Sequence, residues 1–173
     1  MSHKSKGTQL YGWQYTGQQR PDFADEPKPG EESVWDYPRP PAIVDDHRVV
    51  RVLAFDGTVL AESNISKRVL ETASPPTFYL PVGALQTSLA PVAGSSFCEW
   101  KGQAEYFAFA DQRLAWRYAE PTQAFAELAG WFSFYPAQCQ CFVAGQNVRA
   151  QAGGFYGGWG TDEIVGPYKG EPG

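Results

Sequence analysis

The sequence is poor in the residues that most often carry chemistry. It holds two histidines, His3 and His47, and three cysteines, Cys98, Cys139 and Cys141. So small and odd a cysteine count builds no disulfide framework and points to a reducing compartment, with the cytoplasm the expected location. With neither histidine close in sequence, Cys98 lacks the base a cysteine nucleophile needs, and a small buried hydrophobe is its commoner role. Cys139-x-Cys141 puts two sulfurs on one strand face, but structural zinc sites pair two such knuckles, and there is no second one. No metal or cofactor is therefore expected. No apolar run approaches the roughly 18 residues a membrane helix needs, and Met1 to Lys6 lead into no signal-type apolar stretch. Positive charge is also scarce: 14 Lys and Arg are scattered against 19 Asp and Glu, a net charge of −5. Without a basic stripe such a surface repels phosphate backbones, which argues against nucleic acid.

What the chain has in quantity is aromatic: six Trp, nine Tyr and eleven Phe, with 18 Gly and 14 Pro as punctuation. Aromatic residues favour pleated, half-buried surfaces, and frequent Gly and Pro break long helices. The expected fold is mainly β, a compact antiparallel β-rich single domain with one or two short helices. Its 173 residues fit one core.

Three stretches differ in composition. Residues 1–46 read as an extended Pro- and Gly-rich N-terminal arm. Tyr11, Trp13, Tyr15, Phe23, Trp35 and Tyr37 are too many aromatics for a solvated tail, so its second half should lie on the body. Residues 47–152 form the body, and residues 153–173 a C-terminal tail too glycine-rich for regular structure. Within the body, Asp56-Gly57 between apolar runs predicts a hairpin with a two-residue turn, pairing Arg51 with Glu62 and Leu53 with Leu60. Ser63 could cap a turn before a strand over Arg68–Thr72, and Thr77–Leu80 form a short strand stopped by Pro81. A second hairpin turns at Asp111-Gln112, which sets Phe107 opposite Trp116 and Glu105 opposite Tyr118. Pro121 to Gly130 carries the start and stop signals of a helix. Trp131–Tyr135 reads as a buried strand, and Cys139–Val143 with Val148–Gln151 as a last hairpin.

Cys98-Glu99-Trp100-Lys101-Gly102-Gln103-Ala104-Glu105-Tyr106, then Trp116-Arg117-Tyr118-Ala119-Glu120-Pro121 and Phe134-Tyr135, form an ordered set. With Ala61-Glu62-Ser63 and Tyr79-Leu80-Pro81 upstream, they resemble the signature of the family catalogued as domain of unknown function 427. The flanks around Trp35 and Phe155–Trp159 are similar to parts of its longer members. The resemblance implies small curved sheets of the β-tent kind around an aromatic-lined cavity, and implies no activity. A nucleotidyltransferase label attached to the family finds no support in the residues. Asp45-Asp46 are merely adjacent, and no pair of spaced carboxylates is present to hold the metal of phosphoryl transfer.

The candidate site residues are Ser63, Arg68, Tyr79, Trp100, Lys101, Glu105, Tyr106, Trp116 and Tyr118. Apolar walls with a few converging polar groups are what a small-molecule pocket needs. In the expected register Glu105, Phe107, Trp116 and Tyr118 share one face. Lys101 is either desolvated among aromatics, its amine lowered toward a base or nucleophile, or laid along Trp100 with its ammonium in water. The leading expectation is a protein that binds an unidentified small molecule, with no nucleic-acid or membrane partner, as a monomer or weak homodimer. The alternatives are an enzyme using Lys101 and Glu105 as base and acid on a carbonyl or phosphoryl compound, and an interaction module docking through an arm.

Overall fold

A computed structural model of the protein describes residues 15–153 and 156–171. His3, Tyr11, Trp13 and Phe155, noted in the sequence, lie outside the described residues. The strands are β1 (Glu32–Ser33), β2 (Ala42–Asp46), β3 (Val50–Leu53), β4 (Val59–Ser63), β5 (Ser66–Leu70) and β6 (Thr77–Tyr79). They continue with β7 (Ala90–Cys98), β8 (Gly102–Phe109), β9 (Gln112–Arg117), β10 (Phe132–Phe134), β11 (Gln140–Val143) and β12 (Gln146–Asn147). Last come β13 (Arg149–Ala150), β14 (Trp159–Gly160) and β15 (Ile164–Val165). They form small sheets rather than a barrel: β10-β9-β8-β7, β12-β11-β3-β4 and β2-β5-β6 are antiparallel. β13 pairs with β14, and β1 pairs in parallel with β15. The mainly β expectation holds. No helix among the described residues is long and apolar enough to cross a membrane.

The first hairpin forms where Asp56-Gly57 predicts it, with a different turn. Gly57 N donates to Ala54 O and Ala54 N to Thr58 O, at 2.9 and 2.8 Å, which makes a three-residue loop. Only Gly57 takes a positive φ (92°) there, while the Asp56 carboxylate accepts from Thr58 N at 2.9 Å. That is a type I turn closed by a glycine bulge. Arg51 opposes Glu62 as expected, but the bulge sets Leu53 opposite Val59 instead of Leu60.

The second hairpin is displaced by one residue, with larger consequences. Its turn is Ala110-Asp111, both with positive φ (50° and 64°), so Phe109 faces Gln112. A bulge between Phe107 and Ala108 then leaves Leu114 as an extra residue on β9, so that Tyr106 opposes Trp116, Glu105 opposes Arg117, and Phe107 opposes Ala115. Moving the turn by one residue shifts the pairing by two and keeps the faces; the single extra residue at Leu114 is what puts Glu105 and Phe107 on the face opposite Trp116 and Tyr118. Both faces are apolar and buried: Phe107 and Ala115 join the main core, while Ala104, Trp116 and Tyr118 join a second cluster. A pattern apolar on both sides does not single out one register.

The expected helix over Pro121–Gly130 is two 3-10 turns within Gln123–Leu128, broken at Phe125 (φ −117°, ψ 22°). Thr122, placed to cap it, instead donates its hydroxyl to Trp100 O at 2.6 Å, so the helix start has no side-chain cap. The last hairpin is shorter than expected, β11 turning into β12 through Ala144-Gly145. Arg149 and Ala150 pair with the glycine-rich tail instead. That tail is structured by one side chain. Trp159 is fully buried, stacks on Phe78 at 4.8 Å and donates its indole N–H to Phe134 O at 2.9 Å. At the other end of the chain, Val34, Trp35 and Tyr37 pack with Ala73, Ile164 and Tyr168 in a third cluster.

Candidate functional site

The register of β8 and β9 builds one wall of a cavity of about 250 Å³. Ala104 and Tyr106 project from β8, Trp116 from β9, and Tyr118 follows β9 on the same face. Tyr79 enters from the end of β6 and Tyr135 from beyond β10. Thr77, Ser96, Tyr156 and Gly157 close the sides. The aromatic rings fix one another: Tyr79 and Trp116 meet edge to face at 6.1 Å, and Trp116 and Tyr135 lie 4.5 Å apart. The Trp116 indole N–H donates to the Tyr79 hydroxyl oxygen at 3.2 Å, and Ser96 shares a short hydrogen bond with the Tyr106 hydroxyl.

Lys101 reaches this cavity from the turn between β7 and β8. Gly102, with φ +106°, reverses the backbone after it, a conformation that disfavours any side chain. Thr122 N donates to Lys101 O at 3.0 Å and anchors the turn. The side chain does not run out to water: Lys101 is 9% exposed, and its ammonium lies 5.8 Å from the centre of the Tyr118 ring. Burial opposes its charge, but Tyr79, Cys98 and Glu71 favour it, and the net direction of its pKa is upward. Lys101 is therefore an ammonium at neutral pH, not the lowered amine a general base requires. Among the described residues no carboxylate lies within ion-pair distance of it. Burial pushes the phenols of Tyr79 and Tyr118 upward, and that of Tyr135 up to about 12, so these hydroxyls keep their protons.

Of the residues singled out by sequence, Tyr79, Lys101, Tyr106, Trp116 and Tyr118 converge here. Trp100 is half-buried against the same cluster without lining the cavity. Glu105 lies on the other face, 3.7 Å from Arg117, in a separate depression with Gln103, Ala119 and Glu120. An acid–base pair of Lys101 and Glu105 is thus not assembled. Ser63 serves a tight turn, its hydroxyl oxygen accepting from Ile65 N at 3.0 Å. Arg68 is committed to ion pairs with Glu32 (2.9 Å) and Asp46 (3.3 Å), the second lacking hydrogen-bond alignment. The Cys139 and Cys141 sulfurs sit 3.9 Å apart in the core, and burial holds the Cys141 thiol upward. Among the described residues, no three His, Cys, Asp or Glu side chains gather as a metal site.

Residues 42–145 match the family model described as a domain of unknown function (DUF427). The chain belongs to that family. No curated protein matches the chain. The DUF427 match contains the turn of Lys101, both strands of the aromatic wall and Tyr135, but it stops before Tyr156 and Gly157. One side of the cavity in this DUF427 member is therefore supplied by the C-terminal segment. A Cβ on Gly157 would lie 2.3 Å from the Trp116 ring, so the backbone there is seated on the indole. Tyr135 and this segment were legible only as motifs, Phe134-Tyr135 and the run from Phe155 to Trp159. Periodicity gave no reason to bring either to Trp116.

Proposed function

We propose that this protein binds a small molecule in the aromatic cavity between Lys101, Tyr79, Tyr106, Trp116 and Tyr118. The observation that carries the reading is the convergence of one buried ammonium and five tyrosines on a single concave space. Binding sites are concave, mostly apolar, and carry few polar groups that set orientation. This cavity, at about 250 Å³, is just under the range of about 300–1,000 Å³ common for drug-sized ligands. It suits a single-ring or short-chain molecule rather than a dinucleotide. Shape complementarity would come from rings already locked by their own contacts, so little ordering cost falls on binding.

The test is a thermal-shift screen of the full chain against small acids, amides, sugars and nucleotides. A ligand at about a hundred times its dissociation constant adds roughly 2.7 kcal/mol. At about 2–4 °C per kcal/mol for this size, the melting temperature should rise by about 5–10 °C. Tyr106→Ala, on a half-buried wall residue, should remove that rise while the protein stays folded. A panel that leaves the wild type unmoved, or a shift that survives in Tyr106→Ala, would count against the cavity as the site.

A further inference from the structure

Resting on that reading of the cavity, we infer that its ligand carries an anionic oxygen group, a carboxylate or a phosphate, for which Lys101 is the counter-ion. Burying an ammonium costs free energy unless a partner compensates it, and three other cations among the described residues obey that rule. Arg48 meets Asp46 and Glu163, Arg68 meets Glu32 and Asp46, and Lys67 meets Asp45 and Glu127, all within 3.3 Å. Lys101 is nine-tenths buried and lines the cavity with no carboxylate at that range among the described residues. Its described compensation is the Cys98 side chain and the face of Tyr118 at 5.8 Å, both weaker than an ion pair with a desolvated carboxylate.

The other lining groups have the matching polarity. Among the described residues, no Asp or Glu lines the cavity. The Tyr79 oxygen accepts from Trp116 Nε1, which leaves its own hydroxyl proton to be given. Tyr118, whose phenol burial pushes upward, also keeps its hydroxyl proton. A box of aromatic rings alone would suit a quaternary ammonium by attraction to the ring faces. Here a cation is disfavoured because Lys101 already holds a positive charge against one of those rings. The charge of that one residue turns an aromatic box from a cation site into an anion site.

The experiment uses calorimetric titration of the full chain with benzoate, phenyl phosphate, benzamide and benzyltrimethylammonium. These share a ring and differ in charge. Benzoate or phenyl phosphate should bind at least ten-fold more tightly than benzamide, with the cation weakest; which of the two anions wins distinguishes a carboxylate from a phosphate ligand. Lys101→Met should reduce the anion's affinity at least ten-fold and erase its advantage over benzamide, while Lys101→Arg, which keeps the charge, should retain part of it. Melting curves of both variants establish that they fold. Benzamide or the cation binding as well as the anions, or an anion preference unchanged in Lys101→Met, overturns the assignment while leaving the cavity a ligand site. Failure of all four probes overturns the assignment and the reading of the cavity beneath it.

Discussion

Where β1, β2 and β5 meet the C-terminal segment, Arg48 and Arg68 face Glu32, Asp46 and Glu163 at 2.7–3.3 Å, and Tyr37 donates to Glu32 at 2.6 Å. In the aromatic cavity, Lys101 is more deeply buried than Arg48 and faces rings and hydroxyls. The first region is a closed electrostatic network, each cation shared between two acids and each acid hydrogen-bonded. The second leaves one cation, in a concave space, with no carboxylate at ion-pair distance among the described residues. Buried charges that serve only the fold arrive in pairs, because removing one partner exposes the other to the full cost of desolvation. The contrast separates a region that ties distant parts of the chain together from one organised for something that arrives from outside.

The largest test of the contrast is Arg68→Met. It leaves Asp46 and Glu32 without one of their cations, and the side chains of Arg68 and Asp46 are only 12% and 9% exposed. Loss of one partner of a fully buried pair costs about 3–5 kcal/mol; with Glu32 40% exposed, about 2–3 kcal/mol is expected. Chemical denaturation should register this as a lower midpoint. Lys101→Met, which keeps the length and apolar stem of the side chain, should change stability by less than about 1 kcal/mol, within the usual scatter of a substitution that orphans no partner. Equal losses in the two variants would erase the distinction between the regions.

Gly157→Ala comes next. The added carbon would sit 2.3 Å from the Trp116 ring, which is held by Tyr79 and Tyr135, so the segment must move. Overpacking of this kind costs about 1–3 kcal/mol. The variant should melt lower, and Trp116 fluorescence should change as the cavity opens. A melting temperature and spectrum identical to wild type would mean that the C-terminal segment is not seated on the indole.

The smallest effect is in pH. Burial raises the carboxyls of Glu32, Asp46 and Glu163, but hydrogen bonds from Arg68, Tyr37 and Arg48 more than reverse it and hold them below their ordinary 4.5, 3.8 and 4.5. A lowered carboxyl adds stability that is present above its unfolded value and is lost as pH falls through the folded one. The network should therefore weaken on acidification below about pH 4.5. Tyr135 has the opposite sign: its ordinary value is 10.0, and burial pushes it up to about 12. Its contribution is present below pH 10 and is lost as pH rises toward 12. Melting temperature measured across pH should fall at both ends. Arg68→Met should flatten the acid limb, and Lys101→Met should leave that limb as in wild type.

Much of the fold was legible from local signals. Asp-Gly announced the first hairpin and the Arg51–Glu62 pair, and Pro81 ended the strand carrying Tyr79. Five of the nine candidate site residues line one cavity, because the Lys-Gly turn and the alternating aromatics of β8 and β9 are local features. Errors arose where two local choices were nearly equal. Moving the turn from Asp111-Gln112 to Ala110-Asp111 keeps the faces by itself; the extra residue at Leu114 reverses them, and a hairpin apolar on both faces offers no polar side to reveal it. Glu105 lies on the face opposite the cavity because of that bulge. Arg68 looked like an anchoring donor because its acids, Glu32 and Asp46, lie 36 and 22 positions away or meet it only across β2 and β1.

The sequence by itself determined a β-rich fold of the DUF427 family, its main turns, and the presence of a lysine among aromatics. Whether that lysine would reach water along Trp100 or be buried against Tyr118 was decided by the tertiary structure. So was the wall supplied by Tyr156 and Gly157, and so was the commitment of Arg48 and Arg68 to the network rather than the cavity. The physical reason is common to all three. Side-chain alternation and turn preference act over a few residues, whereas burial and charge pairing depend on which distant segments end up facing each other.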